Sequence, residues 1–386
     1  MPLRTMIPLL PTVLLLPVLA LAAPAASATP GPAGPPHIPT LHFAQAPATP
    51  RAVTGTRSDT YVTTRGSDTG TCPRTAPCAT ITYAQTQTAI GGTIHLADGT
   101  YHQSANLTQP VHLAGADESR VIIDGTNIDY TAKGYYGLIA VNNTSGTAGT
   151  ISISNVTVTH PYVTATEAGY DSFPIDIGNF DQQTGDTVDV DRVTFGGPTQ
   201  QVSYPNFGYY SLNAVSTNVV KEDRASGMQL AYFAEGSGGP TTFVHDVARD
   251  LVGYTSGGTY QPPVGVYGLA DTSANLPVTA DDDYFVGYNG WGIVGEAGYS
   301  EGNCTANVCV GGLTLNTNHN CFDLKAAPAG LGVAAIAAYA NLNDSLTAHV
   351  NNSYGRVANP DLTVSVVSQG GTVTVTDSDN TIRVTH

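Results

Sequence analysis

The sequence predicts an all-β chain wound as a right-handed parallel β-helix (solenoid), and three observations carry that prediction. From Thr93 onward the chain is a series of short β-prone runs separated by Gly, Asn, Asp and Thr, with almost no stretch of helical period. Two of these runs repeat one another: Ile151–Val158 and Val188–Phe195 both read apolar, polar, apolar, polar, polar, apolar, Thr, apolar. Charged residues make up only 11% of the chain, against 42 glycines and abundant Thr. That is too little charge for a helix-rich surface and suits a β-structure coated with Thr and Asn.

Taken in order, the chain opens with Arg4, an apolar stretch from Met6 to Ala22, and Ala26-Ser27-Ala28, the small-x-small form that signal peptidase cuts. Residues 1–28 are therefore expected to be a signal peptide and the mature protein to be secreted and extracellular. The stretch is broken by Pro8, Pro11 and Pro17, and no later segment is apolar enough to span a bilayer. Residues 29–57 are rich in Pro, Ala and Thr without hydrophobic period, the composition of a disordered linker. Five cysteines fit an oxidising compartment. Cys72 with Cys78 and Cys304 with Cys309 are the simple disulfide pairs, leaving Cys321; pairing of Cys304 or Cys309 with Cys321 is the alternative.

The β-helix is expected over 58–352. Echoes of the first repeat recur at Phe243–Val247, Val278–Phe285 and Leu313–Asn318, and a second kind of run follows each after a loop of variable length. Those second runs are Phe173–Ile177, Ser211–Val215, Gly227–Ala231, Val264–Gly268 and Trp291–Val294. Two alternating strand types with uneven loops describe coils around one axis, each adding a strand to every face. Over 353–386, Leu362–Val367, Gly370-Gly371 and Thr372–Thr376 look like a hairpin, read as final coils plus a C-terminal β cap.

Tyr61–Gly70, then Ala76-Pro77 and Thr80–Ala84, then Gly91–Tyr101 resemble the opening of secreted right-handed β-helix proteins of the pectin-lyase-like superfamily. The resemblance covers Tyr61 to Gly125 and extends loosely to Asn352. It implies an opening strand, a short N-terminal capping helix and a first full coil. Members include pectate lyases, polygalacturonases, alginate-modifying enzymes and many proteins without assigned activity, so it implies a polysaccharide or glycan as partner.

Strict alternation along the second strand type would put Ile175, Ile177, Leu212, Ala214, Met228 and Leu230 inside and a row of Asp176, Asn213, Gln229, Tyr267 and Glu296 outside. In sugar-cleaving members the substrate lies along such a face, so Asp176, Asn213, Gln229 and Tyr267, with Tyr232 and Trp291 beside them, are the expected substrate-binding residues; the alternative is a solvated face. A uronate lyase needs a cation for the carboxylate and a Lys or Arg base. Lys133, Lys221 and Lys325 are the only lysines, and Lys221-Glu222-Asp223-Arg224 is the one suggestive cluster; a solvated turn is the bland reading. Asp281-Asp282-Asp283 is the candidate Ca²⁺ site, against a charged turn closing a coil.

A net charge of -16 with 14 Lys and Arg argues against nucleic acid as partner. The polygalacturonase-like Gly-His-Gly and Arg-Ile-Lys segments and pectin methylesterase signatures do not occur. Two function classes stand: a monomeric, secreted polysaccharide lyase or glycoside hydrolase, and a non-catalytic β-helix that binds glycans or serves adhesion. An enzyme should hold two ionisable groups within ~10 Å; a binder needs only aromatics and amides.

Overall fold

The computed structural model describes residues 55–384 apart from 127, 129–136, 160–174, 197–205, 237, 257, 271–274, 299–311, 327–333, 342–343, 358–363 and 370. The expected signal peptide, most of the linker, Cys304 and Cys309 lie outside the described residues. Among those described, no helix is long and apolar enough to cross a membrane.

The architecture is the expected right-handed parallel β-helix. Among the described residues, strands stack into a 19-stranded sheet and a nine-stranded sheet, and every pairing is parallel except one small hairpin, Tyr254–Ser256 with Thr259–Gln261. Parallel neighbours require crossovers, which take the right-handed sense in nearly all proteins. The 19-stranded sheet bends along its length into two arms, so each coil has three faces. Thr150–Thr159 and Thr187–Gly196 each run through both arms unbroken. Later coils split there, as in Thr217–Lys221 and Arg224–Ser226, or Asn275–Asp281 and Tyr284–Val286.

The two repeats noted in the sequence are neighbours: Val188 pairs with Ile151, Val190 with Ile153, Val193 with Val156 and Phe195 with Val158. All eight side chains are buried. Identical alternation in consecutive coils stacks apolar residues into columns, and these columns form the core. Aromatic residues add ring stacking inside it, as between Phe285 and Phe322, with centroids 5.2 Å apart.

A short helix, Ile81–Gln87, starts where the sequence placed it. Thr80 caps it by accepting from the Tyr83 amide at 3.2 Å, and Asp68 holds Thr80 through its amide and hydroxyl. The helix buries Ile81, Ala84 and Gln85, and Gln85 exchanges hydrogen bonds with the Asn106 carbonyl and the Thr108 amide. These bonds tie it to the first strand of the nine-stranded sheet, Ala105–Leu107. Nearby, Cys72 and Cys78 form the expected disulfide, and Cys321 is a free thiol.

The C-terminal runs do not form the expected hairpin. Val364–Gln369 pairs in parallel with Ile336–Asn341, while Thr372–Ser378 pairs in parallel with Ser345–Asn351. The two runs lie on different sheets, so the chain changes face between Gln369 and Thr372 instead of reversing.

The bend between the arms has one cause repeated in eight coils. Asn155, Arg192, Glu222, His245, Asp282, His319, Asn352 and Asp379 all have φ between 49° and 58°, a left-handed conformation that turns the chain in one residue. Most are Asn, Asp or His, the non-glycine residues enriched in that region.

Candidate functional site

The nine-stranded sheet has an unusual outer side. Its strands depart from strict alternation at one shared position, occupied by Gly208, Ala231, Gly265, Gly292 and Ala335. There two consecutive residues face inward, so the strand after it reverses parity. Space dictates the small residues: a Cβ on Gly265 would stand 2.3 Å from the Phe285 ring, and one on Gly292 2.4 Å from the Phe322 ring. Past this kink Tyr209, Tyr232, Val266 and Ile293 point into the solenoid core. Phe207, Tyr210, Leu230, Phe233, Val264, Tyr267, Trp291 and Val294 belong to a second, separate apolar cluster on the outer side.

That outer cluster is ordered into columns by the parallel register. Tyr210, Phe233 and Tyr267 occupy one column. Their rings stack, with centroids 4.9 and 5.0 Å apart and planes 25° and 11° from parallel. The next outward column reads Leu212, Glu235, Leu269, Glu296, Tyr339. Glu235 accepts a 2.5 Å hydrogen bond from the Tyr210 hydroxyl, and Glu296 accepts one from the Tyr267 hydroxyl. The same tyrosine–glutamate motif thus appears twice, two rungs apart. Both carboxyls are nearly dry, Glu235 at 6% and Glu296 at 1% exposure.

The expected substrate-binding row is accordingly corrected. Asp176, Gln229 and Tyr232 are buried rather than spread along a solvated face, while Tyr267 and Trp291 are on the outer side but buried within its apolar cluster. Tyr232 points into the core, and Gln229 is held by Asn206 and the Pro262 carbonyl. Asp176 sits beside Gly208 at the kink. Ile175 and Leu230, expected inside, join the outer cluster. Asn213 is a left-handed corner residue leaving the sheet. The physical reason is the shared kink, which breaks the alternation the prediction relied on. Glu296 lies outside as expected, but its partner two rungs away, Glu235, is absent from the expected row; the signal for it is the alternation of Leu212, Glu235, Leu269 and Glu296, each two residues after the matching Tyr210, Phe233, Tyr267 and Val294.

The expected catalytic cluster does not converge either. Glu222 is a corner residue, so its neighbours point to three different places. Lys221 lies outside on the first arm, paired with Asp189 at 2.9 Å. Arg224 lies outside on the second arm, where both oxygens of Glu118 accept from it at 3.2 and 3.3 Å. Asp223 is inside and fully buried. The Lys221 ammonium donates to Asp189, and that hydrogen bond holds it above its usual range, the opposite of what a general base requires.

Asp283 is separated from Asp281 and Asp282 for the same reason. Asp282 is the corner, Asp281 is outside and Asp283 is buried within the solenoid. Asp283 belongs instead to an interior ladder. Asp223 accepts from the Val193 amide at 2.6 Å, Asp246 from the Asp223 amide and Asp283 from the Asp246 amide, each at 2.9 Å. Asn320 continues it by accepting from the Asp283 amide. Among the described residues the second oxygen of each of the three aspartates accepts no hydrogen bond. Burial pushes all three well above the usual carboxylate range.

A second buried acidic pair lies where the chain leaves the nine-stranded sheet. Asp186 accepts from the Asn143 side chain at 2.6 Å and the Gly149 amide at 2.7 Å, while Asp181 accepts from the Asn143 and Gln183 amides. Burial, helped by neighbouring Asp186, pushes Asp181 up to about 7. The pair thereby ties the 143–149 segment of the preceding coil to its own, and the Asp181 and Asp186 carbonyls accept from the Val215 and Thr217 amides of the next.

No family model matches the sequence, and no curated protein matches it. Among solved structures, the chain is similar to a pectin methylesterase from Yersinia enterocolitica, at 13% identity over 69% of this chain and 85% of that one, with a TM-score of 0.41. It is similar to a pectin methylesterase from Erwinia chrysanthemi at 12% identity, over 77% and 89% of the two chains, TM-score 0.44. A rhamnogalacturonan lyase matches at 12% identity over 77% and 74%, TM-score 0.37. At such identities the likeness is one of winding.

Proposed function

We propose that the protein acts on a polysaccharide as a glycoside hydrolase, with Glu235 and Glu296 as its two carboxyl groups. The observation that supports this reading is their placement in one column, two rungs apart, beside a stack of aromatic rings. Rungs ~4.8 Å apart put their backbones at ~9.6 Å, at the upper edge of the ~6.5–9.5 Å between the carboxyls of inverting glycosidases. One glutamic acid would protonate the departing glycosidic oxygen. The other would take a proton from water as that water attacks the anomeric carbon from the opposite face, giving one new reducing end of inverted anomeric configuration and a free hydroxyl on the departing sugar. Tyr210 and Tyr267 orient the carboxyls, and flat rings with polar edges suit the apolar faces of sugars. Because the face is closed to solvent, the reading requires it to open to the substrate.

The test is release of reducing ends from a panel of neutral and acidic polysaccharides. Activity that falls by about 10²- to 10⁴-fold in both Glu235→Gln and Glu296→Gln would support the reading. Activity unchanged in either variant, or none on any polymer, would overturn it.

A specific observation favours a second reading, non-catalytic glycan binding. On the outer side of the second arm Tyr284 and Tyr354 are 41% and 53% exposed and flank Cys321 in one column. Pull-down of a glycan lost in Tyr284→Ala and Tyr354→Ala, without product release, would favour it.

A further inference from the structure

The corner between the two arms carries a second set of groups, independent of the glutamate pair. At the left-handed position, three consecutive coils place His245, Asp282 and His319. Asp281 stands beside them on the first arm. One ligand atom each from Asp281, Asp282 and His319 lie within 4.8 Å of one another. His319 Nδ1 is 3.2 Å from Asp281 Oδ1, and His245 Nε2 is 3.6 Å from Asp282 Oδ2. All four side chains reach solvent, with exposures from 36% to 60%.

We propose that Asp281, Asp282 and His319, with His245 as a fourth ligand, form a binding site for a first-row transition-metal dication such as Zn²⁺. The donor chemistry decides the class of ion. Ca²⁺ takes six to eight oxygen ligands, which this corner lacks once Asp283 is turned inward. Imidazole nitrogen combined with carboxylate oxygen is the set that suits Zn²⁺ and its neighbours. Metal–ligand bonds of ~2.1 Å in a tetrahedron put ligand atoms ~3.4 Å apart; the two histidine–aspartate separations of 3.2 and 3.6 Å are near that value, and the Asp281, Asp282 and His319 atoms, within 4.8 Å of one another, would draw together by small side-chain rotations.

The backbone supplies the preorganisation. The His245 amide donates to the Asp281 carbonyl at 3.1 Å, the Asp282 amide to the Asn318 carbonyl at 3.0 Å and the His319 amide to the Asn351 carbonyl at 3.2 Å. Each ligand is thus held by the next rung of the sheet rather than by a loop, which limits the rearrangement needed on binding. Two surface histidine–aspartate ion pairs would make the same contacts without any metal, and direct titration separates the two cases.

The experiment is calorimetric titration of the whole purified chain with ZnCl₂, alongside thermal melts with and without the metal. The expected result is one saturable site that raises the melting temperature, weakens at least tenfold in both His319→Asn and Asp282→Asn, and is undisturbed by Ca²⁺ in tenfold excess. Asparagine tolerates the left-handed corner, so these variants should melt as the wild type does without metal. Cys321→Ser, which removes the nearby free thiol, should leave affinity unchanged. No saturable binding by the wild type, equal affinity in His319→Asn, or loss of binding in Cys321→Ser alone would overturn the proposal.

Discussion

The early and late coils turn the same corner with different chemistry. In Thr150–Thr159 and Thr187–Gly196 the residue after the left-handed position is Val156 or Val193, and the strand continues unbroken. In the next three coils that place belongs to Asp223, Asp246 and Asp283, and the strand is split in two. The φ angles hardly differ, 54° at Asn155 and Arg192 against 58° at Glu222, His245 and Asp282. The bend is therefore set by the left-handed residue, and the buried acid serves another purpose: it accepts the amide of the coil before it. That service replaces a comfortable valine with a carboxyl in a dry interior, and the late half of the solenoid should be the more sensitive to pH.

Substituting early-coil chemistry into the late coils tests this most severely. Asp246→Val should destabilise the fold by about 1–3 kcal/mol, because the Asp223 amide would lose its acceptor in a buried place. Urea melts of the variant check this, and an unchanged midpoint would mean that the amide does not need the acid.

A gentler change sharpens the contrast. Each ladder aspartate has a folded pKa raised above its unfolded ~3.9, so its stabilising contribution is complete below that value and is lost as pH rises toward the folded pKa. Asp246→Asn keeps the oxygen acceptor and removes the titration. It should match or fall slightly below the wild type near pH 4, exceed it near pH 8, and flatten the profile between; a parallel profile would refute the ladder as the source. Asp59, Asp117 and Asp323 are shifted down instead, so their contributions fade only as pH falls through the acid range. Asp181, pushed up to about 7, adds a further loss of stability between pH 4 and 7 that Asp181→Asn should remove.

The smallest expected effect concerns the corner itself. Glu222→Gly should stabilise by up to about 1 kcal/mol by relieving a left-handed side chain. Arg192→Gly should gain less: both variants lose the 3.6 Å Arg192–Glu222 pair, but Arg192 also pairs with Asp191 at 2.7 Å, and such exposed pairs are worth about 0–1 kcal/mol. Equal gains at both sites in thermal melts would show the Arg192 pair to be without weight.

Much of the winding was legible. Ile151–Val158 and Val188–Phe195 were recognisable as equivalents, and they pair residue for residue. The helix after Thr80 was legible through its resemblance to other β-helix openings. The site was less so, for two reasons. A left-handed residue redirects its neighbours, so Lys221, Glu222, Asp223 and Arg224, adjacent in sequence, end on different surfaces. Such a corner leaves only a faint trace, the preference for Asn, Asp and His at the turning position. The kink of the nine-stranded sheet is marked by Gly or Ala, but small residues have many other uses in β-structure. Period-two reasoning therefore set Leu230 inside and left Glu235 unnoticed.

The alignment of columns has a consequence for how such a chain can change. Leu230 follows its partner Phe207 by 23 positions and Ile336 follows Ile293 by 43, yet both pairs sit rung on rung. Length has been added only between strands. Lengthening such a connection adds only ~0.6 kcal/mol of closure entropy per doubling. A single residue inserted within a strand would instead swap inside for outside along the rest of it. The connections are thus free to grow and diversify while the rungs remain fixed, and new surface can be acquired there without disturbing what stacks beneath.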